Sequence, residues 1–400
     1  MKIVTLPHEP AVRWPVFDTD AEAAVLQILR DGNVSTHPVI RELEHDYAAF
    51  TGRRHALAHN NGTSALLAAF HALDLRPGDE ILVPTATFWA SVLPMVWCGL
   101  VPVFCESEPD TLGIDPADMR RKITPRTKAV VIVHLWGLPC KVAEIQQVCA
   151  EFHLRIIEDA SHAHGGVYHG RKCGALGDIS VLSLQGDKLA PAGEGGIFLT
   201  DNPDYLERAT CLGDITRIIE LDSPARRFAA TSMGIKTRIA PMSAALGCVS
   251  LRKLTGFNLI RNENHLWLSR ELERLDFDCF LPPSGVERVY FEFLIRHRDP
   301  EFETSRFIDQ LQSAGCRVCV PRYPLLHEQP FFLEGHVSAI GRFPAHFQSP
   351  DDSHLAFPQT ERENHRLIKL PNFCHPCRDL LEQYLAAFER ALELHWEKRP

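Results

Sequence analysis

Between Arg54 and Thr200 the chain alternates helix-like and strand-like segments, and this order restricts the fold more than any other feature. GTSALLAAFHAL is rich in alanine and leucine and closes on RPGDE, whose Pro-Gly stops a helix. EILVP then reads as a strand, TFWASVLPMVWCG as a buried helix and LVPVFC as a second strand. DPADMRRKI reads as a short helix capped by aspartate. KAVVIVHL is a continuous β-branched run, the mark of a strand covered on both faces. VAEIQQVCAEFH has helical spacing, and LRIIED is another buried strand. DISVLSL and GGIFLTD add two strands around the loop QGDKLAPAGE. Such a βαβα order gives a mostly parallel sheet with helices on both faces.

From about Met242 the pattern changes. SAALGCVSLRKL and RNENHLWLSRELERL read as two helices, VYFEFLIRHR as a strand, and ETSRFIDQLQSAG as a helix ending on glycine. RDLLEQYLAAFERALELHWEK reads as a long closing helix. The expected organisation is a large α/β domain over 1–250 and a smaller α+β domain over 251–400. Pro321 to Pro358, rich in aromatics, prolines and histidines, reads as loop bordering a site.

The 400 residues carry a formal net charge of −9, which opposes a nucleic-acid footprint or docking on anionic membranes. The 25 residues from Ile81 to Cys105 bear no formal charge, but Pro84, Pro94, Gly99 and Pro102 interrupt them. Strand, helix and strand describe that stretch better than a membrane span. MKIVTLPHEPAVRWP lacks the apolar core and cleavage site of a secretory signal, so a cytoplasmic protein is expected. Twelve cysteines include two C-x-x-C pairs, Cys316/Cys319 and Cys374/Cys377. The step of 55 positions from Cys319 to Cys374 exceeds the gap of ribbon-type zinc sites, and GCRVCV reads as a strand whose cysteines face opposite sides. Buried free thiols, with no metal, are the expectation.

Four segments offer chemistry. NNGTSAL, Asn60 to Leu66, opens a helix, where free N–H groups favour a phosphate and Gly62 permits close approach; many helices also begin this way merely as a cap. Asp159 ends a predicted parallel strand, where sites in α/β sheets cluster. A carboxylate there suits a protonated pyridine nitrogen, as in pyridoxal 5′-phosphate, although Glu158-Asp159 also reads as a solvated loop start. Lys188 lies 29 residues later in a glycine-rich loop. A Schiff-base lysine needs such partial desolvation, yet a lone lysine in such a loop is usually surface charge. Ser183 ends the preceding strand within reach of the same phosphate. Phe88, just past a strand end, suits stacking on a flat ring or simple core packing, and Trp89 competes for that role.

Taken together and in order, these segments resemble the DegT/DnrJ/EryC1/StrS family of pyridoxal-phosphate aminotransferases. The resemblance runs from about residue 12 to the C-terminus through NGTSAL, RPGDEILVPTATF, ITPRTKAVVIVHLWG, IIEDASHAHGG, LGDIS and the Lys188 loop with GEGG. It implies the type I aspartate aminotransferase fold and homodimers with active sites at the interface. It also implies glutamate or glutamine as donor and a keto-sugar, typically nucleotide-linked, or a keto-cyclitol as acceptor. Lys188 would carry the Schiff base and shuttle a proton, Asp159 would face the pyridine nitrogen, and His162 would stand near the phenolic oxygen. Phe88 would stack on the ring, with Thr63, Ser64 and Ser183 on the phosphate.

The chain departs from the family pattern at three places. Asp187 precedes the lysine where many members have Thr or Ser. GIKTR, Gly234 to Arg238, stands for G-Y-N-Y-R, which leaves Lys236 or Arg238 as the candidate to reach the partner's phosphate. CLGDITR replaces an Arg-Asn-His-Gly-like stretch. His327 and Phe331 in PLLHEQPFF fall where relatives have a substrate-proximal motif. Competing functions are a pyridoxal-phosphate sugar dehydratase or lyase, against which the retained Lys188 argues, and a non-catalytic regulatory protein of the same fold.

Overall fold

The computed structural model describes residues 2–333 and 356–396. The first part of the chain forms β1 (His55–His59), β2 (Glu80–Pro84), β3 (Val101–Cys105), β4 (Thr127–Val133), β5 (Arg155–Asp159), β6 (Val167–Tyr168), β7 (Arg171–Lys172), β8 (Ile179–Ser183) and β9 (Gly196–Thr200). Seven of these make the main sheet in the order β1-β9-β8-β5-β4-β2-β3, in which β9 alone runs against the rest. The other six strands are parallel and so end on one edge of the sheet, and the strand order reverses between β2 and β4. Every residue of β2, β8 and β9 is buried, as their unbroken apolar runs require of strands covered on both faces.

The remaining strands are β10 (Phe277–Asp278), β11 (Val286–Glu287), β12 (Phe293–His297) and β13 (Leu367–Leu370). β10, β12 and β13 form a small antiparallel sheet, and β11 joins β6 and β7. A second core, built on Phe277, Phe293, Phe307, Phe373 and Phe388, packs this small sheet against the helices Thr304–Ser313 and Arg378–Trp396. It also takes in Val4 and Ala11. The N-terminal stretch, expected with the large unit, therefore packs in the smaller one.

Three sequence expectations change. TFWASVLPMVWCG is no continuous helix but a 3-10 turn, Trp89–Ser91, and a five-residue helix, Leu93–Trp97. Pro94 lacks an N–H and fits only in a first turn, so it restarts the helix there. The two helices expected after Met242 are one 33-residue helix, Pro241–Glu273, and the boundary expected at residue 250 lies inside it. Gly256 is exposed in that helix and weakens it by about 1 kcal/mol without breaking it. GCRVCV is extended but unpaired except at Cys319, which bridges Lys369. Cys316 and Cys374 are buried and Cys377 is half-buried, whereas Cys319 is exposed. Residues 334–355 of the expected site-bordering loop lie outside the described residues.

The helix Gly62–Ala72 starts where β1 ends, and its position is set by contact with β8 and β9. A Cβ on Gly196 would stand 2.3 Å from the Asn61 carbonyl oxygen, and one on Gly62 would stand 2.8 Å from the Ser183 Cβ. No side chain fits between the helix start and the two strands. Gly196→Ala is therefore expected to cost about 1–3 kcal/mol by forcing these elements apart. Differential scanning calorimetry would show this as a lowered unfolding temperature.

Candidate active site

The carboxyl ends of β4, β5 and β8 and the segments that follow β1 and β2 border one cavity of about 460 Å³. Asp159, the last residue of β5, is 5% exposed in its wall. Its Oδ2 accepts the Ser91 hydroxyl at 2.6 Å and its Oδ1 accepts the Ser161 N–H at 3.1 Å. The broken helix after β2 creates this contact, because the 3-10 turn carries Ser91 inward. Behind Asp159, the expectation of a solvated loop start fails at Glu158, which is fully buried. Glu158 accepts from His134 Nε2 (3.0 Å), the N–H groups of Gly174 (2.6 Å), Leu176 (2.7 Å) and Gly177 (3.2 Å), and the Ser180 hydroxyl (2.6 Å). Burial alone would raise its pKa, but the bonds from His134, Ser180 and Gly174 outweigh it and hold the carboxyl at about 2.

Lys188 is 8% exposed. The Trp14 indole donates to its carbonyl oxygen at 3.0 Å, which ties the loop to the N-terminal segment. Its Nζ lies 4.3 Å from the centroid of the Phe291 ring. Burial lowers the amine's pKa to about 8, against the pull of the Asp159 charge. Among the described residues, no ion pair within 4 Å neutralises either Lys188 or Asp159. A buried amine and a buried carboxylate thus face one cavity without a direct ion pair between them.

His162 is buried and stacks on Phe291, with ring centroids 4.0 Å apart. The Trp136 N–H donates to Nδ1 at 3.4 Å, which puts the ring proton on Nε2, 3.4 Å from the Tyr323 hydroxyl. Burial first, and then the charges of Lys188 and Arg322, push its pKa well below the ordinary value, so the ring is neutral. Phe88 lies at the cavity wall and packs at a tilt against Trp89 (4.9 Å) and Tyr323 (5.3 Å).

Gly62, Thr63 and Ser183 border the same cavity. Ser64 does not: its N–H donates to the Asn61 cap at 2.8 Å, and it lines an adjoining cavity of about 640 Å³ shared with Thr63 and Trp89. One residue after Thr63, Ser64 is rotated about 100° further around the helix and faces the adjoining cavity. Asp187 is exposed and pairs with Arg322 Nη1 at 3.3 Å. Lys236 is exposed, and Arg238 donates to the Ser35 hydroxyl at 2.8 Å; neither borders the cavity. In CLGDITR, Arg217 is held between Glu44 (2.7 Å) and Asp214 (3.2 Å). His327 is buried beneath β2, between Thr85 Oγ1 (2.6 Å) and Glu361 (3.2 Å), and Phe331 packs on Phe332; neither lines the cavity.

A model of the DegT/DnrJ/EryC1/StrS aminotransferase family matches residues 15–379. The chain belongs to this family. GDP-perosamine synthase of Caulobacter vibrioides is 37% identical over 259 residues, 64% of this chain and 68% of that protein. The dTDP-4-dehydro-2,3,6-trideoxy-D-glucose 4-aminotransferase of Saccharopolyspora spinosa is 29% identical across 96% of this chain and 97% of its own length. The fold matches that of an aminotransferase from Psychrobacter cryohalolentis with a TM-score of 0.84, at 24% identity over 96% of this chain and 99% of that one. The protein is thus a DegT-family aminotransferase with the type I aspartate aminotransferase fold.

Sequence reasoning alone did not find Ser91, Trp14, Phe291, Arg322 or Tyr323. Ser91 had a signal, a hydroxyl inside an apolar segment, but Arg322 and Tyr323 reach the cavity, and Trp14 and Phe291 reach Lys188, from distant parts of the chain.

The low lysine pKa has a measurable consequence in cofactor-free protein. Between pH 8 and the ordinary lysine range the unfolded chain binds the Lys188 proton and the folded chain does not, so stability rises with pH there. Below pH 8 both states are protonated and the burial penalty is at its fullest. Lys188→Met is expected to remove that slope and to stabilise the protein at pH 7 by on the order of 1–3 kcal/mol, read from urea unfolding across the pH range.

Proposed function

We propose that the cavity holds pyridoxal 5′-phosphate and that the protein moves an amino group from glutamate or glutamine to a nucleotide-linked keto-sugar. The observation that carries this reading is Lys188 and Asp159, buried in one cavity of a family aminotransferase with no direct ion pair to either. Neither has a contacting counter-ion, and a cationic pyridine ring bound through an aldehyde fits both. When bound, this cofactor supplies the electron sink that makes the substrate's carbon acidic.

The residues divide the remaining work. Asp159, its oxygens fixed by Ser91 and Ser161, faces the ring nitrogen and favours its protonated form. The N–H groups of Gly62 and Thr63, in the first helical turn, have no intrahelical acceptor and suit the phosphate together with the Thr63 and Ser183 hydroxyls. Ser64 contributes only through its place in the capped turn. His162 offers Nε2–H as a neutral donor to the phenolic oxygen. Phe88 and Tyr323 wall the ring. Lys188, with a pKa of about 8, is uncharged in a useful fraction near neutral pH, as nucleophile and proton carrier both require.

The acceptor class is supported by relatives named for GDP- and dTDP-linked sugars. A homodimer is supported by the adjoining 640 Å³ groove, whose walls include Trp89, Met233 and Ile235, all substantially exposed in one chain. A cytoplasmic setting is supported by twelve cysteines with no disulfide, and no helix among the described residues is long and apolar enough to cross a membrane.

The test is a screen of nucleotide-linked keto-sugars with nitrogen-15-labelled glutamate and glutamine, read by mass spectrometry and by the visible band of the bound cofactor. Label is expected in an amino-sugar product, and the band is expected to fade when donor is added alone. Lys188→Ala should lower turnover by at least roughly a hundredfold. A band that persists with every amino donor, or a deoxy product without label, would refute the transferase reading; the latter would point to lyase chemistry.

A further inference from the structure

Arg322 enters the cavity wall from the chain following Cys319 and meets two carboxylates. Its Nε lies 2.6 Å from Glu292 Oε1, and its Nη1 lies 3.3 Å from Asp187 Oδ2. The two partners differ. Glu292 is 3% exposed in its side chain and also takes Lys369 Nζ at 2.9 Å. Asp187 is 58% exposed and sits at the longer distance, beside a guanidinium that is itself 37% exposed. Glu292 is shared between Lys369 and Arg322, and Asp187 gives the guanidinium its second, weaker and solvated contact.

Arg322 also lies beside the reactive amine. Its Cζ is 5.6 Å from the Phe291 ring centroid, and Lys188 Nζ is 4.3 Å from the same centroid. Any α-amino acid that brings its nitrogen to the Lys188 position brings a carboxylate with it. A guanidinium presents a planar fork suited to that group, while its buried Glu292 bond keeps the fork oriented.

We propose that Arg322 receives a carboxylate of the amino donor and that Asp187 is its resident counter-ion, displaced when the donor binds. The inference rests on the transferase reading and gives its donor step a named anchor. It also gives a function to Asp187, the acidic residue directly before Lys188. The Asp187 carboxylate occupies the guanidinium while the site is empty of donor, so Arg322 is never left uncompensated. It therefore competes with the donor, and removing its charge should strengthen donor binding.

The probe is glutarate, a dicarboxylate without the amine, titrated calorimetrically into protein loaded with pyridoxal phosphate. Arg322→Gln is expected to weaken glutarate roughly tenfold or more, the value of a charge-assisted bond. Asp187→Asn is expected to tighten it roughly two- to fivefold, the strength of an exposed ion pair. In the Arg322→Gln background, Asp187→Asn should have no effect. The concentration dependence of cofactor bleaching by glutamate should shift in the same directions.

A merely structural Asp187–Arg322 tether predicts instead that both variants weaken binding. Weakened or unchanged glutarate affinity in Asp187→Asn, a variant of an exposed side chain, would overturn the exchange. So would an Arg322→Gln protein of wild-type affinity. Wild-type protein that binds glutarate with this pattern but reacts with no amino donor would refute the transferase reading while leaving the carboxylate site standing.

Discussion

The buried Glu158 carboxylate is the point on which the site's geometry depends. It lies at the end of β5 and accepts five hydrogen bonds, from a histidine at the end of β4, three backbone N–H groups of the loop before β8, and a serine in β8. The carboxyl ends of β4 and β5 are thereby tied to the start of β8. A buried carboxylate with fewer partners would take up a proton and release them. Asp159 is the next residue along, so its direction into the cavity follows from how Glu158 is held. One residue satisfies the backbone, and its neighbour is left to face the cavity.

A second level of organisation comes from the 33-residue helix Pro241–Glu273, which takes part in both hydrophobic cores. Arg261, in its middle, is fully buried, with its Cζ 3.8 Å from the centroid of the Trp14 ring, and Trp14 in turn bonds the Lys188 carbonyl. Lys188 is therefore held from two sides. The sheet supplies the loop ends, and the smaller core's side of the molecule supplies the clamp.

The main sheet was legible because buried parallel strands are written as short continuous apolar runs between turn signals, and β2 coincides with EILVP residue for residue. Asp159, Gly62 and Ser183 could be placed at the cavity for a related reason: each lies at a strand end or helix start, and Lys188 lies in the loop that follows such an end. Arg322, Tyr323 and Phe291 could not, because nothing near them in sequence indicates that the first two border this cavity or that Phe291 packs behind it. Asp187 illustrates the limit. Its charge was plain in the sequence, but its meaning depended on an arginine 135 residues away. His327 fails in the opposite sense: its neighbourhood suggested a substrate contact, while its ring is occupied by Thr85 and Glu361. The merged helix escaped detection because an exposed glycine looks like a break but need not be one.

The first fifteen residues turn out to be a mechanical link. Val4 and Ala11 sit in the smaller core, Ile3 and Val4 bond the Ala314 carbonyl, and Trp14 grips the Lys188 loop. Any shift of the smaller core against the sheet pulls on that grip, so the position of Lys188 is coupled to a core that does not carry it. Bulk fused to the amino terminus, or trimming that removes Trp14, acts on the amine's alignment from a distance, with every cavity residue after the indole still in place.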